Sequence, residues 1–320
     1  MSLVVEESTL DDLLFASVQY LLSSGEPVST SRGQTLETRG ARLQLSNPRA
    51  RVSRTSALPH MFSALAETIW YLTGDDSLDH ISFYVSGYKG LIGEGTGVYG
   101  PRLFGTGDYA QIQRVVQQLA AGSTTRQAVV ELFERRDLEA DPRDVPCTCT
   151  LQFLLRGGRV DLIVFMRSND VITGLRHDLF SFTFIQELVA RAIGADVGTY
   201  THFVGSLHIY EEDREKGETF LREGAQTPYP MPLMPPGDPW PNVEVIIEWE
   251  AALRAQRGFE PPDSLAPYWL ELGQLLSGYH AYRRKDSAAL TLARDQLRGT
   301  VYDLYLSDRD HILEGELPDA

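Results

Sequence analysis

The sequence predicts an α+β fold: a mainly antiparallel or mixed β-sheet core flanked by long helices, followed by a helical C-terminal segment. Three observations predict it. Segments with helical apolar spacing alternate irregularly with strand-like runs. Two of those runs, "CTLQFLLRGG" and "RVDLIVFMRS", are joined by a Gly-Gly hairpin turn. From about residue 250 onward only helical periodicity remains. The chain has 320 residues, 42% of them hydrophobic, enough to bury a large core.

Residues 10–24, "LDDLLFASVQYLLSS", have helical spacing and are ended by "GEP". The turn-rich "VSTSRGQTLETRGARLQLS" then passes into alternating, strand-like residues. Residues 60–74, "HMFSALAETIWYLTG", form an amphipathic helix with Gly74 as its stop signal. Residues 75–108, rich in Gly and Tyr, read as a long loop region. "YAQIQRVVQQLAAG" reads as a helix and "QAVVELF" as a strand. After the hairpin come a long buried helix, "DLFSFTFIQELVARAIG", and a strand, "VGTYTHFVGSLHIYEED". Beyond the proline-rich "TPYPMPLMPPGDPWP", the alternation in "VEVIIEW" predicts one more strand. "APYWLELGQLLSGYHAYR" and "AALTLARDQLRGTVYDLYL" read as a helical pair. The expected division is a first domain over residues 1–250 and a helical extension over 251–320 packed on it.

Composition narrows the function. No apolar stretch reaches membrane-spanning length, and "MSLVVEESTLDDLL" lacks the basic-then-apolar pattern of a signal peptide. The expectation is a soluble, cytoplasmic protein with no membrane partner. A formal charge of −15 argues against wrapping long nucleic acid, though not against one phosphate in a local arginine pocket. The only two cysteines are Cys147 and Cys149. At i and i+2 on a strand they project to opposite faces and do not easily bridge. Without a Cys/His cluster they make a poor zinc site, and the seven histidines show no ligand spacing, so no metal is expected.

Each polar residue that stands out has an ordinary reading when taken alone. Cys147 reads as a small buried hydrophobe, Glu67 as a carboxylate at a helix edge, "RSND" as a solvated turn and "HIY" as a strand end. Their order along the chain changes this. "AETIWYLTG", "VYGPRLF", "TTRQAVV", "VPCTCTLQFLL", "FMRSNDVITGLRHD" and "VGSLHIY" resemble, in order and spacing over roughly residues 10–250, the motifs of the thymidylate synthase superfamily.

That resemblance implies a thymidylate synthase-like fold and a role for each motif. Cys147 becomes the nucleophile, because a thiolate adding to C6 of a pyrimidine makes C5 reactive enough to capture a one-carbon unit. Glu67 resembles the general acid/base that relays protons through water, and Tyr99 the tyrosine near C5. Arg167 with Ser168, Arg126 lent by a second subunit, and Arg32 correspond to phosphate-binding groups, a task that suits the planar guanidinium fork. His208 and Tyr210 resemble the pair at the sugar 3′-hydroxyl. Asp170, Gly174 and, more loosely, His60 resemble residues around the folate. The implied cofactor is 5,10-methylenetetrahydrofolate, and the implied partners are a pyrimidine nucleoside monophosphate and a second copy of the chain in a homodimer sharing arginines.

Of four departures from the family's pattern, the first three point to the cytidylate (CMP/dCMP) 5-hydroxymethylase branch and the fourth bears on phosphate affinity or sugar selection. "GLRHD" has Asp178 where thymidylate synthases have asparagine. An ionised carboxylate only accepts, which suits the 4-amino group of cytosine and leaves O4 of uracil facing an acceptor. A site built on one such pattern rejects the other base by ~10⁴–10⁵. The segment "DSLDHISFYVSGYKGLIGEGTG" offers Phe83, Tyr84 and Tyr88 but not the family's tryptophan, and the chain ends "ILEGELPDA" after an added helical region. Both changes should admit water to the C5-methylene and give 5-hydroxymethyl product. Finally, "TTRQ" keeps one arginine of the family's pair, and Thr148 replaces a histidine after the cysteine. The rival expectations are a thymidylate synthase-type C5 methylase or dUMP hydroxymethylase, and a nucleotide-binding paralogue without turnover.

Overall fold

The computed structural model describes residues 3–58, 61–91, 97–107, 110–122, 124–139 and 145–307. By their internal contacts they form two compact units, one ending at Pro230 and one beginning at Met231.

The first unit is built on a mixed sheet of seven strands among the described residues: β1 (Val4–Glu7), β2 (Glu26–Thr30), β3 (Gly33–Leu45), β4 (Val129–Glu131), β5 (Thr148–Arg156), β6 (Arg159–Asp170) and β7 (Asp196–Tyr210). The strand order is β1-β3-β7-β6-β5-β4, with β2 also paired to β3. The pairs β1–β3 and β6–β7 are parallel and the others antiparallel, as expected for a mixed sheet. The β5–β6 hairpin turns at Gly157 and Gly158, with φ of 56° and 76°, the mirror-image turn conformation that glycine adopts without a Cβ penalty.

Eight helices accompany the sheet in the described residues: α1 (Leu10–Ser24), α2 (Met61–Thr73), α3 (Leu78–Tyr84), α4 (Tyr88–Leu91), α5 (Tyr99–Phe104), α6 (Gln111–Ala121), α7 (Gly174–Ala192) and α8 (Arg214–Glu223). Thr9 caps α1, its hydroxyl accepting the Asp12 N–H at 3.1 Å. From Leu175 to Ala190 nearly every residue of α7 is buried, because the helix lies between the sheet strands β6 and β7 and the helices α1, α2 and α6. It starts earlier than expected, so "GLRH" belongs to its first turn. Arg51 and Glu187 of α7 form a fully buried ion pair, with the Arg51 guanidinium 5.3 Å from the Phe184 ring.

Two expectations are corrected here. The region 75–108 is not one long loop: α3, α4 and α5 lie in it. The second unit comprises α9 (Trp240–Arg254), α10 (Pro267–Arg283), α11 (Ser287–Leu297) and α12 (Asp303–Ser307), so "VEVIIEW" is helical, not a strand. Val243, Ile246, Trp249 and Ala252 recur every third position and are buried, a helical stripe that local valine–glutamate alternation masked. The first helix of the second unit therefore absorbs the stretch expected to close the first domain, and the division falls at residue 230 where 250 was expected. Trp249 stacks on Phe259 at 5.4 Å. No helix among the described residues is long and apolar enough to cross a membrane.

Candidate active site

Cys147 lies just ahead of β5, and its carbonyl accepts the backbone N–H of Arg167 on β6 at 2.9 Å. The ladder register shifts between Thr148 and Thr150, a bulge-like irregularity of the kind that re-aims side chains. The Arg167 guanidinium folds back on the same segment, donating from Nε to the Pro146 carbonyl and from Nη2 to the Val145 carbonyl, each at 2.9 Å. Both cysteines are free thiols. Burial pushes the Cys147 thiol above its ordinary range, Arg167 and Arg32 pull it back, and Asp178 pushes it up further. The cationic neighbours thus work towards the reactive thiolate, and a buried acid works against it.

Tyr99, the first residue of α5, accepts the Thr148 N–H with its hydroxyl at 3.0 Å. Its ring stacks on Phe182 at 6.2 Å. Burial, followed by the fields of Cys147 and Asp178, holds the phenol proton well above its ordinary range. Tyr99 is therefore a neutral hydroxyl near Cys147, with its oxygen fixed by Thr148.

Two polar links tie α2 to α7. The Ser63 hydroxyl meets Nε2 of His177 at 2.8 Å, and the Thr68 hydroxyl meets that of Ser181 at 2.8 Å. Nδ1 of His177 lies 2.7 Å from the Thr173 carbonyl, which can only accept, so the proton sits on Nδ1 and Nε2 accepts from Ser63. Between these links lie Glu67 on α2 and Asp178 on α7. Oε1 of Glu67 accepts from the hydroxyls of Tyr71 at 2.7 Å and Tyr88 at 3.3 Å. Asp178 is buried, and its carboxyl holds its proton well above the usual carboxylate range, first through burial and second through the charge of Glu67, with the Asn169 side chain working the other way.

Behind Asp178 runs a chain of buried polar groups. Nδ2 of Asn169 lies 3.1 Å from Nε2 of His202, and the Tyr200 hydroxyl lies 2.7 Å from Nδ1 of the same ring. Burial pushes His202 down to about 3, so its ring is neutral. A Cβ at Gly174 would stand 2.7 Å from Oδ1 of Asn169 and 3.7 Å from Oδ2 of Asp178. The space that a side chain would need there is taken by this pair.

The parallel pairing of β6 and β7 sets Ser168 opposite Ser206 and Asp170 opposite His208. The His208 ring meets Tyr210 edge-on at 5.1 Å. Arg32, at the β2–β3 turn, hydrogen-bonds the Tyr210 side chain and acts electrostatically on Cys147, so the structure gathers Arg32, Arg167, Tyr210 and Cys147 into one neighbourhood. Both Asp170 oxygens serve the turn into α7, accepting the N–H groups of Ile172 at 3.0 Å and Thr173 at 2.9 Å. Each keeps a lone pair for a further donor. Arg126 is exposed ahead of β4, and no contact among the described residues brings its side chain to Cys147. His60 lies outside the described residues.

Sequence reading missed Tyr71, His177, Tyr200 and His202, and passed over Asn169 inside a motif it had recognised. Tyr88 stood out only as a substitute for a missing tryptophan. The signal for Asn169 and His202 was a polar side chain at an inward position of an otherwise apolar strand.

A family model described as thymidylate synthase matches residues 18–235, more than half of the chain. A deoxyuridylate hydroxymethyltransferase of Bacillus phage SP01 is 28% identical over 213 residues, which are 60% of this chain and 55% of that protein, so the chain spans about half the length of this relative. A protein of the same description from Delftia phage PhiW-14 is 23% identical over 267 residues, 78% of this chain and 74% of the relative. A thymidylate synthase of Symbiobacterium thermophilum is 30% identical over 203 residues, 57% of this chain and 68% of the relative. The matched residues hold the cysteine, both buried acids and the strand pair that frames them: the chain belongs to the thymidylate synthase family.

Proposed function

We propose that the chain hydroxymethylates C5 of CMP or dCMP, using 5,10-methylenetetrahydrofolate and water. The observation that carries this reading is Asp178: a buried acid that keeps its proton, close enough to Cys147 to act on its thiol. A neutral carboxyl offers one O–H and one carbonyl oxygen. Cytosine presents the complement, an acceptor at N3 and a donor at the 4-amino group, so no proton need be found on the base.

The residues divide the work as follows. The Cys147 thiolate forms a bond to C6, which makes C5 nucleophilic. Arg167, pinned beside it, and Arg32 favour that thiolate and draw the nucleotide phosphate, with Ser168 alongside. Tyr99, a neutral phenol, donates its hydrogen on the C5 side to a water that can take up the C5 proton. Glu67, held by Tyr71 and Tyr88, relays protons near the 4-position. His208 and Tyr210 contact the sugar. The folate, when bound, supplies one carbon at the oxidation level of formaldehyde. Asp170, with an acceptor lone pair left on each fixed oxygen, fits the N–H-rich edge of its pterin ring. Once that carbon is bonded to C5, loss of the C5 proton would free tetrahydrofolate, water would add to the C5-methylene to give the hydroxymethyl group, and the Sγ–C6 bond would break last to return the Cys147 thiolate.

Hydration in place of reduction is supported by the aromatic segment around Tyr88, which brings a hydroxyl towards Glu67 where the family's tryptophan would exclude water. The names of the two phage relatives support it too, although those names give deoxyuridylate as substrate. The pairing of two copies is supported by Phe165 and Phe203, register neighbours on β6 and β7 that are 45% and 36% exposed in the single chain.

The test is release of tritium from C5-labelled CMP, dCMP and dUMP with methylenetetrahydrofolate, followed by product mass. Release from a cytosine nucleotide with gain of CH₂O is expected. Gain of a methyl group with dUMP overturns the base and the outcome alike, and no release from any nucleotide favours a binding role.

A further inference from the structure

The helix α5, six residues long, is too short to keep its own orientation, since a helix of this length owes its stability to tertiary contacts. Its first residue, Tyr99, must nonetheless hold its hydroxyl on the Thr148 N–H, 3.0 Å away. The phenol oxygen stands at the end of a long lever, so a small rotation of the helix about its axis would swing it off that position. The structure holds α5 on both flanks of the tyrosine.

One residue of helix is a turn of about 100°, so Gly100 lies about 100° from Tyr99 around the axis and Arg102 about 60° in the opposite sense. Gly100 packs against the end of α2 with no room for a side chain: a Cβ there would stand 3.2 Å from the Trp70 carbonyl oxygen and 3.3 Å from Cα of Tyr71. Arg102 is anchored in the segment that follows β4. Its guanidinium is bidentate on Asp137, with Nη1 2.6 Å from Oδ2 and Nη2 2.7 Å from Oδ1, and Nη1 also donates to the Leu132 carbonyl. The two side chains are 4% and 3% exposed. Asp137 is held in turn, its Oδ2 accepting the Glu134 N–H at 2.6 Å. Burial works to raise its carboxyl, but the hydrogen bonds from Arg102 and Glu134 and the charges of Arg102 and Arg136 hold it below the usual range. Gln111 of α6 closes the frame. Its Nε2 donates to the carbonyls of Arg102 at 2.7 Å and Glu131 at 2.8 Å, and its Oε1 accepts the Glu131 N–H at 2.9 Å.

We propose that Arg102 and Asp137 are a positioning pair that sets the rotation of α5 and thereby places the Tyr99 hydroxyl for its work at C5. The inference rests on the role of Tyr99 proposed above. A buried ion pair adds little net stability once desolvation is counted, so its value here is geometric. A two-pronged fork on one carboxylate accepts a narrow range of helix rotations, which a lysine in its place would widen while keeping the charge. Misplacing a reacting group by about 1 Å can cost ~10²-fold in rate. Because both side chains are bonded to each other and to backbone, the effect falls on turnover and not on nucleotide affinity.

The experiment is a double-mutant cycle on the full chain, read as kcat for tritium release from C5-labelled CMP and dCMP with methylenetetrahydrofolate, beside the nucleotide dissociation constant. Asp137→Asn is expected to lower kcat by about tenfold or more with the dissociation constant nearly unchanged. In a Tyr99→Phe background the same substitution is expected to add almost nothing, because the hydroxyl it positions is gone. An equal further loss in that background means that the pair acts on the fold as a whole, and overturns the proposal. Should Asp137→Asn fail to fold, Arg102→Lys takes its place in the cycle. Hydrogen exchange at the Thr148 amide, which the Tyr99 hydroxyl accepts, is expected to quicken in Asp137→Asn relative to the Arg167 amide, which bonds the Cys147 carbonyl. Should Tyr99→Phe leave tritium release unchanged, or the wild type release none, the catalytic reading of Tyr99 falls separately and the amide comparison takes over: quicker exchange at Thr148 alone supports the clamp, and unchanged exchange ends it.

Discussion

The Tyr88 hydroxyl lies 3.3 Å from Oε1 of Glu67, although the two are twenty-one residues apart and Tyr88 arrives from a separate short helix. Tyr71, one turn along α2 from Glu67, reaches the same oxygen at 2.7 Å. One carboxylate oxygen is thus committed to two phenols. Replacing Glu67 by Gln should lower kcat for tritium release by roughly 10²–10⁴-fold, the range for a general acid/base, with little change in nucleotide affinity. Tyr88→Phe should give a smaller fall. Equal loss of affinity and turnover in E67Q would instead make Glu67 a binding residue.

The thiol of Cys147 is held up by burial and pulled down by Arg167 and Arg32. Removing Arg167 with R167Q should therefore move the pH at which Cys147 is alkylated by iodoacetamide upward, measured in a C149A background so that only one thiol reports. The lower limb of the pH–rate profile should shift in the same direction. Cys147→Ser should abolish product formation while the protein still binds nucleotide.

Asp178 gives a signed prediction for stability. Unfolded, it ionises near 3.8, whereas folded it keeps its proton to a much higher pH. Its contribution to the native state is complete below about 3.8 and is lost as pH rises towards its folded ionisation. The amide of D178N does not titrate. The melting temperature of D178N should therefore gain on that of the wild type as pH increases above about 4. The same substitution should turn the base preference towards uracil by about 10²-fold or more, read as the dUMP-to-dCMP ratio of tritium release.

Arg51 and Glu187 are both fully buried and bonded to each other. Truncating Arg51 to Met removes a buried charge partner of the Glu187 carboxylate and should cost about 3–5 kcal/mol in urea denaturation. The double variant R51M/E187L should recover much of the loss, because burying two apolar groups in place of a charge pair is close to neutral.

Periodicity and turn chemistry were sufficient for most of the elements. The spacing in residues 10–24 and 60–74, the Gly157–Gly158 turn and the alternation of β5, β6 and β7 are local properties, and the structure follows them. "VEVIIEW" failed because a seven-residue window with valine alternation satisfies a strand template, while the three-residue stripe from Val243 to Ala252 shows only over a longer span. The short helices between residues 78 and 104 were hidden because their glycine-rich context reads as loop.

The sequence by itself determined the family, the order of the motifs and the chemistry of the residues singled out, because those depend on residue type and spacing. Only the tertiary structure decided that Glu67 and Asp178 share one buried field, that Arg167 turns back over the segment ahead of Cys147, and that Asn169, His202 and Tyr200 line up behind the acid. Each of these relationships joins residues from different elements. Their proton positions follow from burial and from which polar ends are already engaged, and neither quantity exists until the helices have packed on the sheet.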